Sequence, residues 1–131
     1  MDISTDAKRE IIQGILESDS ISRSKILKDI LAYLLECSIN NTDPHEYDIA
    51  VNVLHKDDYD PSIDTSVRVH LHKLRQILAG YHLEDARYDS VYVDLPKGQY
   101  GLKFITRGKG DMLSLMMRDY YAKSRTALLL I

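Results

Sequence analysis

The chain has 131 residues, 44% of them hydrophobic and 28% charged, with a formal net charge of −3. That length suits one domain able to bury a core without staples, and the composition is that of an ordinary soluble globular protein. The single cysteine, Cys37, excludes an intramolecular disulfide. Its place in the apolar run Leu34-Leu35-Glu36-Cys37 reads as a buried, inert thiol. The start, Met1-Asp2-Ile3-Ser4-Thr5-Asp6, has neither a basic nor an apolar signal region, so a cytoplasmic location is expected.

The charge is unevenly spread. Residues 1–64 hold 14 acids and 6 bases, a net −8, whereas residues 65–131 hold 6 acids and 11 bases, a net +5. A partner feels the local field over about 8 to 10 Å, so this asymmetry says more than the total. The acidic half weakens non-specific attraction to DNA.

In chain order, residues 5–18 read as a helix with Ile11, Ile12, Ile15 and Leu16 on one side, weakened by Gly14. Asp19-Ser20-Ile21-Ser22 breaks it, with Ser22 as the next N-cap. Residues 24–39 then place Ile26, Leu27, Ile30, Leu31, Leu34 and Leu35 along one stripe. After the turn Asn40-Asn41-Thr42, a third helix is expected to start with Asp43 as N-cap, Pro44 at its first position and Glu46 three after the cap. It runs to about Lys56 and carries Tyr47, Ala50, Val51, Val53 and Leu54. The acidic loop Asp57-Asp58-Tyr59-Asp60-Pro61-Ser62-Ile63 follows.

Residues 64–81 form the element that matters most. Val67, Leu71, Leu74, Leu78 and Tyr81 stack in one apolar stripe, with Asp64 as N-cap. At about 100° per residue, Thr65, Arg68, His72, Arg75 and Gln76 fall on the opposite side. Between Thr65 and Leu83 stand three cations, Arg68, Lys73 and Arg75, and no acid. Two alternating segments, 90–95 and 100–105, flank the turn Pro96-Lys97-Gly98-Gln99 and make a β-hairpin. Val91, Val93 and Leu95 face one way, as do Tyr100, Leu102 and Phe104; the other face, with Lys103, is expected to stay wet.

Three helices, a loop, a fourth helix and a hairpin with a basic tip are the order of a winged helix-turn-helix with an extra N-terminal helix. The expected fold class is mostly α with a C-terminal β-hairpin, α+β, over residues 1–106. Such modules lay the last helix in the major groove, where Arg reads guanine and Gln adenine, while the hairpin meets backbone or minor groove. The candidate DNA-binding residues are Thr65, Arg68, His72, Lys73, Arg75 and Gln76 on the helix, with Lys97, Lys103 and Arg107 beyond it.

Particular residues also resemble a known family. They are Glu46-Tyr47-Asp48-Ile49-Ala50 with Val53-Leu54, Tyr59-Asp60-Pro61, Asp64, Val67-Arg68-Val69, Lys73-Leu74-Arg75, Leu78 and Tyr81, then Leu95-Pro96-Lys97-Gly98-Gln99-Tyr100. Together they look like the winged-helix output domain of bacterial transcriptional regulators, related to the OmpR/PhoB and CadC/ToxR type. The resemblance covers roughly residues 5–106. It implies sequence-specific binding of double-stranded DNA, a long loop between the last two helices, and contact of that loop with RNA polymerase. In many members of the branch a membrane-spanning helix and sensor or repeat domains follow this N-terminal domain. The departures from the family are the acidic N-terminal half and the histidines at 70 and 72.

Plainer readings stand beside these. His70 and His72 lie two apart, so about 200° separates them on a helix and they cannot share an ion. No metal or cofactor is expected; His70 reads as core-flanking and His72 as part of the exposed basic face. Arg68 could instead pair with Asp64, and Lys97-Gly98 could be a solvated turn. No nucleophile motif, phosphate-cradling glycine loop or metal-ligand spacing occurs, so no enzyme is expected. The alternative function is a winged-helix protein–protein interaction module without DNA binding.

Residues 107–131 read as a linker, Thr106-Arg107-Gly108-Lys109-Gly110, and an amphipathic tail with Met112, Leu115, Met116 and Tyr120 on one side. Arg118, Lys123 and Arg125 precede Ala127-Leu128-Leu129-Leu130-Ile131, the pattern in which a membrane helix begins on its cytoplasmic side. One expectation is therefore a longer protein whose sequence beyond Ile131 enters the inner membrane. The rival is a complete small protein that forms a homodimer through residues 111–131.

Overall fold

A computed structural model describes residues 3–85 and 91–106. Thr106, expected in the linker, is the last residue of the second strand, and the rest of the expected linker and tail, from Arg107 on, lies outside the described residues. Among those described, four α-helices, a π-helical turn and a two-stranded antiparallel hairpin form a mostly helical architecture, compatible with the expected α+β class.

Helix α1, Thr5–Leu16, is opened by Ser4, whose hydroxyl accepts the N–H of Ala7 at 3.2 Å. It buries Ile12 and Ile15 against helix α2, Lys25–Ile39. The cap of α2 is Ser24 rather than the expected Ser22. Ser24 Oγ accepts from Leu27 N at 3.2 Å, while Ser22 spends its hydroxyl on Asp19 O inside the preceding turn. Ile21, fully buried, pins that turn to the core. Ile26 was expected on the apolar stripe of α2 but is exposed, because the buried set from Leu27 to Leu35 already fills the face turned to the core. Cys37 is buried, and burial pushes its thiol pKa up.

Helix α2 ends in a left-handed residue, Asn41 at φ 55°, with Thr42 N–H returning to Cys37 O (2.8 Å) and Asn41 N–H to Ser38 O (3.3 Å). Asparagine tolerates that conformation better than most residues, and the two bonds satisfy carbonyls that the helix end leaves open. Helix α3 is shorter than the sequence suggests, Glu46–Asn52 instead of 44 to about 56. Asp43 precedes a proline, which disfavours helical backbone, and the chain stays extended through His45. The Asp48 carboxylate then accepts the His45 N–H at 2.9 Å and fixes the start at Glu46. At the other end His55 takes φ 57°, which lets Lys56 N–H fold back to Ala50 O.

Helix α4, Ser66–Gly80, buries Val67, Leu71, Leu74, Leu78 and Ala79. Its N-cap is Thr65, one residue later than expected, although the Asp64 carboxylate still accepts the Ser66 N–H at 2.9 Å. Instead of stopping at Tyr81 the chain widens into a π-helical turn, Tyr81–Asp85. That turn carries His82 into the interior.

Strands β1, Val91–Asp94, and β2, Lys103–Thr106, pair with Tyr92 opposite Ile105 and Val93 opposite Phe104. The connecting turn closes with Gln99 N–H on Pro96 O and holds Gly98 at φ 81°, the left-handed third position that favours glycine. Val93, Leu95 and Leu102 join the core built by α1, α2 and α4. The opposite face of the ribbon is not simply wet. Tyr92 is buried there with Ile105 against Ala79, because the widened end of α4 lies beneath it. Among the described residues no helix is long and apolar enough to cross a membrane.

Candidate nucleic-acid interface

Glu46, the first residue of α3, collects bonds from two distant parts of the chain. Arg68 on α4 donates from Nη1 to both Glu46 oxygens, at 2.8 and 3.0 Å, and from Nη2 to Pro61 O at 2.8 Å. Tyr100, after the hairpin turn, donates its hydroxyl to Glu46 Oε1 at 3.2 Å. The Glu46 side chain is 12% exposed and that of Arg68 42%. The bonds to Glu46 raise the guanidinium pKa of Arg68, and burial together with the Glu46 charge raises that of the Tyr100 phenol.

The expected alternative pairing of Arg68 with Asp64 does not form. Asp64 is taken by Lys56, whose ammonium reaches Asp64 Oδ2 at 2.6 Å and Ser66 Oγ at 3.0 Å. The Lys56 contact first, and then the bonds from the Ser66 hydroxyl and N–H, hold the Asp64 carboxyl well below the usual carboxylate range. Tyr59 lies under the same loop and donates to Asp64 O at 3.1 Å; burial pushes its phenol up to about 12. The acidic loop is thus anchored at Lys56, Tyr59 and Arg68.

Arg75, expected to read a base, is turned to the hairpin. Its Nε donates to Leu95 O at 2.9 Å, and its Nη2 to Gln99 O at 3.1 Å and Pro96 O at 3.4 Å. One guanidinium therefore ties α4 to the carbonyls at both ends of the turn. A planar fork with five donors can do this; an ammonium cannot hold the same geometry.

The exposed side of α4 carries Thr65, Arg68, Val69, His72 and Lys73, with Gln76 half-buried at its edge. Val69, 47% exposed, sits among these polar groups; the sequence names it in the family resemblance and not among the candidate DNA contacts. His70 is half-buried, and burial followed by the Lys73 charge lowers its pKa. Lys97 stands exposed at the hairpin turn, and Lys103 is exposed on β2 opposite Asp94. Burial raises the Asp94 carboxyl, while Arg75 and Lys103 pull it the other way.

Sequence reading also passed over His82. Its side chain is 1% exposed, Nε2 accepts the Val93 N–H at 2.9 Å, and the rings of Tyr81 and Tyr92 meet it edge-on. Desolvation lowers its pKa to about 4. The role of Glu46 as a junction was equally hidden, since its partners lie 22 and 54 residues away. No protein-family model, curated protein or solved structure matches this chain.

Proposed function

We propose that the chain is a sequence-specific duplex-DNA-binding transcriptional regulator of winged helix-turn-helix form. In this reading α4 enters the major groove, and the hairpin acts as the wing on backbone or minor groove. The observation that carries it is the outward side of α4, where Thr65, Val69, His72 and Lys73 are exposed, next to an exposed Lys97 on a turn tied to the same helix. No acid interrupts residues 65–83.

The side-chain bonds favour a division of labour among the candidates. His72, Lys73 and Gln76 face the base edges, and Val69 offers an apolar contact of the kind a thymine methyl accepts. Lys97 and Lys103 meet phosphate. Arg75 positions the hairpin, and Arg68 reaches DNA by exchanging Glu46 for a base or phosphate. RNA polymerase remains a proposed partner of the 57–60 loop.

The second reading is a protein-interaction module without DNA binding. It is favoured by the Glu46–Arg68 pair, which neutralises one of the few cations of α4, and by the net −8 of residues 1–64. Selection from a random duplex library at low and moderate salt separates the two. Enrichment of a motif that is altered by His72→Ala and Lys73→Ala supports regulation by base reading. Absence of binding even at low salt overturns it.

A further inference from the structure

His82 is a buried polar side chain that the proposed DNA face does not use. It lies in the π-helical turn Tyr81–Asp85, its ring edge-on to Tyr81 at 5.3 Å and to Tyr92 of β1 at 5.1 Å between centroids. Because Nε2 accepts the Val93 N–H at 2.9 Å, that nitrogen carries no proton, and the neutral ring bears its hydrogen on Nδ1. Nδ1 is buried and finds no partner among the described residues. An unmet buried donor is uncommon in folded proteins.

The same bond places His82 on the outer edge of β1. Val93 faces Phe104 in the ladder, and its N–H points away from β2, so Tyr92 with Ile105 and Asp94 with Lys103 are the pairs that bond across the strands. The ladder therefore closes without His82. The apolar contact at this place is a small cluster of Ala79, Tyr92 and Ile105, separate from the main core of α1, α2 and α4. Turn and strand can part here while that core stays packed.

A proton cannot be taken up in place. On Nε2 it would set one N–H against another, and Nδ1–H already lacks an acceptor, so the imidazolium would be a buried charge with neither donor met. The titratable groups facing the ring are the phenols of Tyr81, on its own turn, and Tyr92, on β1. Asp94 is the one carboxyl on β1, and it stands opposite Lys103. Ala79 of α4 and Ile105 of β2 bring no charge. Desolvation accordingly lowers the imidazole pKa from 6.5 to about 4.

We propose that His82 is an acid-operated clasp: on protonation at Nε2 its ring leaves Val93, and the π-helical turn loosens from β1 while the helices stay packed. The charged ring is held in water, where its proton affinity is ordinary, so the open form gains progressively below about pH 6.5. Between pH 7 and pH 5 the opening equilibrium should rise about twentyfold, as follows from a ring that titrates near 4 when closed and near 6.5 when open. The clasp concerns how the hairpin is held, so it stands or falls independently of the DNA reading.

The test is amide hydrogen exchange of the full chain at pH 7 and pH 5, corrected for the intrinsic rates, with and without low urea. Protection of the Val93 N–H is expected to fall about twentyfold and to be insensitive to urea below the unfolding transition, the mark of a small opening. Leu31, in the middle of α2, should exchange through a larger, urea-sensitive opening. His82→Gln offers a side-chain oxygen to the same N–H without titrating, and should reduce the fall to less than about twofold. The proposal is overturned if Val93 protection does not change with pH, if Val93 matches Leu31 in protection and urea dependence, or if the fall persists in His82→Gln. Should that variant fail to fold, the comparison of Val93 with Leu31 in the unaltered chain decides alone.

Discussion

His82 links the end of α4 to the hairpin through a group that cannot be charged cheaply. Its imidazole is kept neutral to about pH 4, against an ordinary value of 6.5, because burial withholds water from the charged form. Between these values the unfolded chain binds the proton and the folded one does not, so stability falls as the pH is lowered. From pH 7 to pH 5 this amounts to about 2 kcal/mol. Burial of His70 acts in the same direction. Denaturant unfolding should show the decline, and His82→Leu should remove most of it; an unchanged slope would mean that His82 is not the group responsible. The carboxyls of Asp64 and Asp60 are lowered instead, so their contribution is present above the ordinary carboxylate range and disappears only at still lower pH.

Gly14 is a second case in which one position depends on a distant one. In the middle of α1 a glycine costs about 1 kcal/mol of helix stability relative to alanine. A methyl group there would stand 2.8 Å from the Tyr81 hydroxyl, so the ring has to move if the helix is improved. Gly14→Ala is expected to give little or no stabilisation alone and about 0.5 to 1 kcal/mol in a Tyr81→Phe background. Thermal unfolding of the four proteins of this cycle measures the coupling, and strict additivity would refute the contact.

At the scale of elements, the chain is organised by two arginines that sequence patterning reads as base contacts. Removing Arg75 takes its donors from the carbonyls of Leu95 and Gln99, while Pro96 O keeps the Gln99 N–H. Arg75→Ala is expected to cost about 2 kcal/mol, with lysine restoring less than half, since its single ammonium cannot span the turn. If Arg75→Lys were as stable as the original chain, the clamp would be incidental. Glu46 does the opposite service for Arg68, occupying it on the protein. Under the proposed function, Glu46→Gln releases that cation. The logarithmic salt dependence of duplex binding should then steepen by about 0.9, one further phosphate contact. Weaker binding with an unchanged slope would assign Glu46 a purely structural part.

For the molecule as a whole, the periodic elements were legible because each is a local pattern. Ile12 and Ile15, Leu27 to Leu35, and Val67 to Leu78 repeat at helical spacing, and the Pro96-Lys97-Gly98-Gln99 turn announces itself by composition. Element ends were less legible. The start of α3 depends on the Asp48 carboxylate outcompeting Asp43, and the end of α4 on a π-helical turn that no residue type demands. The site was readable only as a face. That Arg68 would prefer Glu46 to Asp64, and Arg75 three carbonyls to solvent, follows from how α3 and the hairpin dock, which no short-range spacing encodes. The charge asymmetry belongs to this scale too. Under the proposed function, Lys97→Ala should weaken all duplex sequences alike and lower the salt slope by about 1, leaving the preferred motif unchanged. A changed motif would place Lys97 on a base instead.

The bonds of Arg75 bear on how α4 and the hairpin turn can move. Fastened at Leu95, Pro96 and Gln99, helix and turn behave as one body and not as two arms on a hinge. Their relative orientation is settled when the chain folds, so a ligand touching both need not immobilise either, and the second contact follows the first at high effective concentration. Under the proposed function, the same rigidity makes the pair a gauge: a duplex whose groove width departs from the fixed separation cannot be met by swinging the turn. Loosening the clamp should therefore broaden the range of DNA shapes accepted even where no base contact is altered.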